Sequence, residues 1–251
     1  MNRRTLLAGV GLLAAGGAAG TAAGLLTEPA ATAESPTART AVPGGGPVAY
    51  AATVTFRTAP SARLVALTFD DGPTKQWTPQ VLRILRRHNA QATFFQVGMR
   101  AQTDPGAVSQ ATDAGHEVAN HTWAHSDLTH YDEAFDRASL ERTHELLTRL
   151  AGQAPRLCRP PYGRIDSVGL AVCASLRYEV MLWSDWVTGG NPVVDTDQTL
   201  RRSSPGSIVL AHDGGPQPNA TLMQQIDRLV GSMTDAGYTF ATVSELLAAS
   251  R

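Results

Sequence analysis

Strand-like and helix-like stretches alternate about seven times between Leu64 and Ala249, and this alternation limits the possible folds more than any compositional figure does. Leu64 to Phe69 is a short apolar run with β-branched members, the pattern of a strand buried on both faces. Ala92 to Val97, Glu117 to Asn120, Arg156 to Arg159, Tyr178 to Trp183, Ser207 to Ala211 and Tyr238 to Thr242 read as further strands. Helical spacing covers Thr78 to His88, Pro105 to Asp113, Asp132 to Ala151 and Ser167 to Leu176. It covers Thr199 to Arg202, Thr221 to Ala236 and Ser244 to Ala249 as well. Pro79 near one helix start and Gly115 and Gly152 after two helix ends punctuate the pattern. Strands that alternate with helices predict a parallel sheet covered by helices, either a barrel or a doubly wound sheet. About 190 residues are enough for one such domain with a sizeable core.

The chain before this domain has a different composition. Residues 1–33 carry Arg3-Arg4, then a mildly apolar Ala/Gly/Leu stretch, then Ala31-Thr32-Ala33, and resemble a twin-arginine export signal. Residues 34–61 are expected to be a flexible linker, rich in Ala, Thr, Pro and Gly up to Pro47, with an edge strand at residues 52–56. The folded domain is expected at 62–251. Of 251 residues, 21 are Lys or Arg and 22 are Asp or Glu, with no basic run, so nucleic acid is not expected as a partner. We expect an exported, monomeric protein without stable membrane insertion.

The polar residues that stand out fall just after strands: Asp70 and Asp71, His121, Arg159, Asp185 and His212. A barrel gathers the carboxyl ends of its strands at one face, where active sites are built. Asp70 and Asp71 end an apolar strand and precede a Gly72-Pro73 turn that can swing both acids into one pocket. Two carboxylates forced together repel unless a cation or proton lies between them. His121 and His125 are four apart, so on one helical turn both would face the same ion. With Asp71 they make a two-histidine, one-carboxylate set suited to a catalytic divalent metal. Zn²⁺ is the default for these ligands, and Co²⁺ or Ni²⁺ are the alternatives.

Four motifs in order resemble the NodB-type polysaccharide deacetylases, carbohydrate esterase family 4. They are Thr68-Phe69-Asp70-Asp71-Gly72-Pro73, His121-Thr122-Trp123-Ala124-His125, Arg159-Pro160-Pro161-Tyr162-Gly163 and Leu210-Ala211-His212. The resemblance covers about residues 62–248. It implies a distorted (β/α) barrel of about seven parallel strands, fewer than eight. It also implies metal-dependent removal of N-acetyl groups from amino sugars, or of O-acetyl groups from xylan. By the same resemblance Asp70 is the general base, and the Tyr162 N–H contributes to the oxyanion hole. His212 is the general acid and Leu210 lines the slot for the acetyl methyl. Arg159 would hold and aim Asp70, since a guanidinium grips a carboxylate in a fixed fork. Pro160, Tyr162 and Trp186 are expected on the substrate side.

The fourth motif departs from the family pattern. Trp183-Ser184-Asp185-Trp186 is compressed, with one of the usual aspartate positions missing or displaced, which leaves Asp185 to tune His212 and Trp186 to wall the groove. Cys158 and Cys173 are an even pair in an exported chain, which predicts a disulfide. The leading function is deacetylation of a cell-wall or chitin-like glycan by a secreted or wall-associated enzyme. Three alternatives are a glycan-binding module without chemistry, an acetylxylan esterase, and an amidohydrolase for a small acylated molecule.

Overall fold

The computed structural model describes residues 51–251 apart from 188 and 190, so the export segment and the linker to residue 47 lie outside the described residues. Among the described residues, nine strands and eight α-helices follow one another, for the most part in alternation. The strands are β1 (Val54–Thr55), β2 (Leu64–Asp70), β3 (Ala92–Gln96), β4 (Glu117–Asn120), β5 (Leu157–Cys158), β6 (Glu179–Met181), β7 (Asp185–Trp186), β8 (Ile208–His212) and β9 (Thr239–Phe240). The helices are α1 (Thr78–Arg87), α2 (Gly98–Thr103), α3 (Pro105–Asp113), α4 (Glu133–Ala151), α5 (Ser167–Ser175), α6 (Pro192–Arg202), α7 (Ala220–Asp235) and α8 (Val243–Ala248).

The strands are ordered β1-β6-β5-β4-β3-β2-β8-β7, and β9 pairs with the start of β2. Every ladder is parallel. The result is the distorted (β/α) barrel expected, with nine strands rather than about seven. Of the two beyond those seven, β1 falls on the edge strand expected at 52–56, and β7, two residues at the other end of the strand path, is the one not expected.

Strand alternation sorts the core into two layers. On β2, Val65, Leu67 and Phe69 face the helices and pack with Val81, Ile84 and Leu85 of α1 and Ile226, Leu229 and Val230 of α7. Ala66, on the other face, joins Phe95, Ala119, Leu157, Met181 and Ile208, one residue from each of six strands, in the barrel interior. Val243 and Leu246 of α8 complete that inner cluster. Thr68 and Asp70 share the face of Ala66, so the inner layer turns from apolar to polar toward the carboxyl ends of the strands.

Two local expectations are corrected. The short helix expected at 199–202 begins at Pro192, because Asn191 caps it by accepting hydrogen bonds from the amides of Val193 and Val194 at 3.0 and 3.1 Å. Cys158 and Cys173 are free thiols rather than a disulfide. Both are buried among Leu140, Val172, Tyr178 and Val180, where a thiol packs as a small apolar group. A hydrogen bond with Cys173, and burial after it, push the Cys158 thiol well above its ordinary pKa.

Candidate metal centre and its surroundings

Asp70 is the last residue of β2, and beyond it the chain turns sharply. Asp71 has φ 69°, the left-handed region that non-glycine residues avoid. The turn is held from three directions. Arg100 Nη1 donates to the Asp71 carbonyl. The Asp213 amide donates to the Asp70 carbonyl at 3.2 Å, and the Val97 amide to the Gly72 carbonyl at 2.9 Å. A side chain at Gly214 would collide with the Asp71 carbonyl, and one at Gly215 with the Asp71 carboxylate.

The two histidines leave β4 on a loop, not on the helical turn expected. Thr122 and His125 have φ 65° and 58°, values a right-handed helix cannot hold, and these two bends bring the rings together with centroids 5.0 Å apart. His121 Nδ1 donates to the Arg159 carbonyl at 2.7 Å, which leaves Nε2 facing Asp71 Oδ1 at 3.3 Å. His125 Nε2 lies 2.9 Å from the same oxygen. Burial works against the Asp71 carboxylate, but the close approach of His121 and His125 outweighs it and holds its pKa below the usual range. Burial also disfavours charge on His121, yet Asp70 and Asp71 reverse the effect and raise its pKa.

The residues fit a metal ion on two counts. One ligand atom each from Asp71, His121 and His125 lie within 4.8 Å of one another. Asp71 Oδ1 is buried yet accepts no hydrogen bond of ordinary geometry, although two imidazole nitrogens flank it.

Beside this trio, Asp70 is gripped by Arg159, which is fully buried. Arg159 Nη1 donates to Asp70 Oδ1 at 2.7 Å and to Thr68 Oγ1 at 2.8 Å, while Nε and Nη2 donate to the carbonyls of Met181 and Leu182, each at 3.0 Å. Its guanidinium lies over the Phe95 ring at 4.0 Å, so the polar layer stacks directly on the apolar interior. Asp70 Oδ2 stays on the metal side, 3.8 Å from His121 Nε2.

His212 ends β8 and pairs in register with Asp70. Burial lowers its pKa, opposed by the charges of Asp70 and Asp71. The structure does not bring Asp185 to it. Asp185 pairs in register with Val209, three residues before His212, and its carboxylate lies 3.6 Å from Arg202 Nε. The compressed motif makes β7 too short to carry an acid up to the level of His212. Trp186, opposite Leu210 in register, is 46% exposed under the Arg202 guanidinium at 4.8 Å. Leu210 is buried on β8. Pro160 leads into a 3₁₀ turn, Pro161–Gly163, in which Tyr162 has φ 60° and stands edge-on to His125 with centroids 4.7 Å apart.

Sequence reasoning missed two residues here. Asp213 is fully buried; its Oδ2 accepts from Thr78 Oγ1 at 2.5 Å and its carbonyl from Thr74 Oγ1 at 2.8 Å. Burial pushes its pKa up to about 7. Its position directly after His212 was the available signal. Arg100 lies in α2 outside every motif, and no sequence signal marked it.

The family model described as polysaccharide deacetylase matches residues 57–181. The chain is similar to a peptidoglycan-N-acetylglucosamine deacetylase of Bacillus cereus, 35% identical over 193 residues, which are 74% of this chain and 69% of the relative. Its fold is similar to the crystal structure of the Bc1960 peptidoglycan N-acetylglucosamine deacetylase, with TM-score 0.74 and 32% identity over 77% of this chain and 92% of that one. It is also similar in fold to BA3943 from Bacillus anthracis, a CE4 family pseudoenzyme, with TM-score 0.72 and 23% identity over 78% and 69% of the two chains.

Proposed function

The chain belongs to the polysaccharide deacetylase family, and from that premise we propose that it removes N-acetyl groups from a cell-wall or chitin-like glycan with a divalent metal held by Asp71, His121 and His125. The observation that carries the proposal is the convergence of those three ligand atoms beside a carboxylate whose other oxygen is already taken by Arg159. The fold alone would not suffice, since a pseudoenzyme shares it.

A cation at this site supplies Lewis-acid polarisation of the acetyl carbonyl and acidifies water, and Zn²⁺ suits two imidazoles and a carboxylate. Asp70 Oδ2, left free because Arg159 makes one hydrogen bond, to Oδ1, rather than the two-pronged fork expected, takes the proton of the attacking water. Arg159 keeps that carboxylate aimed, and because the guanidinium is itself held by Thr68 and two carbonyls, Asp70 does not swing toward the metal ligands. His212, level with Asp70 across β2 and β8, delivers a proton to the departing nitrogen. Water and the acetamide thus become acetate and the free amine. Leu210 packs against the acetyl methyl, and the Tyr162 N–H, presented by its left-handed backbone, donates to the developing oxyanion.

The names of the relatives favour peptidoglycan and an N-acetyl over an O-acetyl target. The Arg3-Arg4 segment supports export, and among the described residues no helix is long and apolar enough to cross a membrane. The protein acts as a monomer on this reading. Acetate release from peptidoglycan, chitooligosaccharides and acetylxylan is the test, before and after chelation and with Zn²⁺, Co²⁺ or Ni²⁺ restored. Release that disappears on chelation and returns with metal is expected. No release from any substrate by metal-loaded protein points to a binding module, and release from monomers alone to an amidohydrolase.

A further inference from the structure

Tyr131 and Phe135 form an aromatic pair that the reaction described above does not use. Their rings are 3.9 Å apart and inclined by only 17°. Both remain open to solvent, 47% and 42% exposed. Tyr131 precedes Asp132, the cap of α4, and Phe135 lies in the first turn, where its amide donates to Asp132 Oδ1 at 2.9 Å. An apolar contact across a helix start fixes the direction of the incoming chain. Leucine would serve for that. Two aromatic faces left in water are more than the contact requires, and they remain free to take a ligand.

The pair sits on the loop that carries the histidines. β4 ends at Asn120, so residues 121–132 run over the carboxyl-end face, and Tyr131 follows His125 by six residues, at most about 20 Å of extended chain. The loop is pinned. Asp127 Oδ1 accepts from the Thr129 hydroxyl at 2.7 Å and from the Thr129 amide at 3.0 Å, and Asp127 Oδ2 accepts from Arg164 Nη1 at 3.2 Å. The Thr129 hydroxyl first, with help from Arg164, holds the Asp127 pKa down at about 2. Arg164 in turn lies 5.8 Å from the centre of the Tyr162 ring, which meets His125. These contacts tie the loop to the candidate metal centre as far as Thr129, two residues before Tyr131.

We infer that Tyr131 and Phe135 are a stacking platform for a distal pyranose of the same glycan chain whose acetamido group lies at the metal centre. The reading rests on the deacetylase assignment above. A pyranose presents an apolar C–H face that fits an aromatic ring, and the Tyr131 hydroxyl can bond a sugar hydroxyl. Two rings bordered by the exposed polar residues His130, Asp132 and Glu133 are too small a patch for a protein partner, which needs about 800 Å² a side, and are of a size for one sugar.

The test compares wild type with the Tyr131→Leu/Phe135→Leu double variant, which keeps the apolar contact at the start of α4 and removes the rings. kcat/KM is measured on N-acetylglucosamine oligomers from dimer to hexamer. A loss of about 3- to 10-fold on the hexamer, carried by KM, with the shortest substrate turned over as before, is expected. The Tyr131→Phe/Phe135→Tyr exchange should restore the long-chain rate. An equal loss at every length, or none at any, overturns the platform. If wild type deacetylates no oligomer, the deacetylase reading fails on its own account. Binding of the hexamer to wild type that is weakened in the leucine variant then still supports the platform, and equal binding overturns it.

Discussion

The β2–β5 arc of the mouth and the β7 side are held in different ways. On the arc, one buried guanidinium distributes its donors among Asp70, Thr68 and the carbonyls of Met181 and Leu182, and the Arg159 carbonyl orients His121. On the β7 side a two-residue strand presents Asp185 to a half-exposed Arg202, with Trp186 open to water beneath the same guanidinium. Buried, mutually hydrogen-bonded groups hold one geometry, whereas a buried carboxylate paired with a solvent-exposed guanidinium 3.6 Å away is held less tightly. The more rigid part of the mouth carries the proposed metal ligands and base, and the looser part is the side proposed to wall the glycan groove.

The most severe way to break the arc is to remove its metal ligands. His121→Ala and His125→Ala should each abolish bound metal and turnover together, read by elemental analysis and acetate release; stoichiometric metal in the double variant contradicts the assignment. Next comes Asp70→Asn, whose amide oxygen still accepts from Arg159. It should bind metal normally and lose about 10²- to 10⁴-fold in kcat, the scale of a missing general base. Loss of metal instead would mean that Asp70 and Asp71 exchange roles.

Arg100→Met releases the carbonyl of Asp71 from its donor. Metal affinity, measured by competition with a chelator, should fall about 10-fold or more, as for other groups that orient metal ligands. An unchanged affinity would leave Arg100 with no part in holding the turn. The smallest effect is expected on the β7 side. Burial lowers the His212 pKa, so His212 gives up its proton at lower pH than a free imidazole, near 6.5, and the alkaline limb of kcat/KM falls there. Asp70 and Asp71 oppose the shift, and Asp185, held by Arg202, takes no part. Asp185→Asn should therefore leave that limb in place. A clear move to lower pH would show that Asp185 reaches His212 after all and would erase the contrast between the two sides.

Local sequence exposed the elements with strong periodicity. Pro105–Asp113 is the helix its spacing predicts, and the strand over Leu64 to Phe69 differs from β2 by one residue. The residues proposed for the metal and the base were legible because Asp70 ends β2, and Asp71 and His121 directly follow strands whose patterns are clear. Backbone reversals were not. Nothing in His121-Thr122-Trp123-Ala124-His125 announces left-handed Thr122 and His125, since packing against the rest of the loop overrides their own preferences. Helix α2 is six residues long and has no apolar stripe to detect, and Arg100 enters the site only because α2 is folded beside the Asp71 turn. The cysteines misled because export and an even count describe the environment of a chain, not the packing of two buried thiols.

Gly214 touches the carbonyl of Asp71, a residue far away in the chain, with no room for even one carbon. For anyone reshaping this protein, the loop after β8 is an inviting target, because it borders the mouth and lies just beyond His212. Libraries that randomise it should nevertheless yield mostly metal-poor protein, and selection for a new substrate would first be selection for glycine at 214. Diversity is better introduced on the β7 side, where a side chain can change without pushing on a proposed metal ligand.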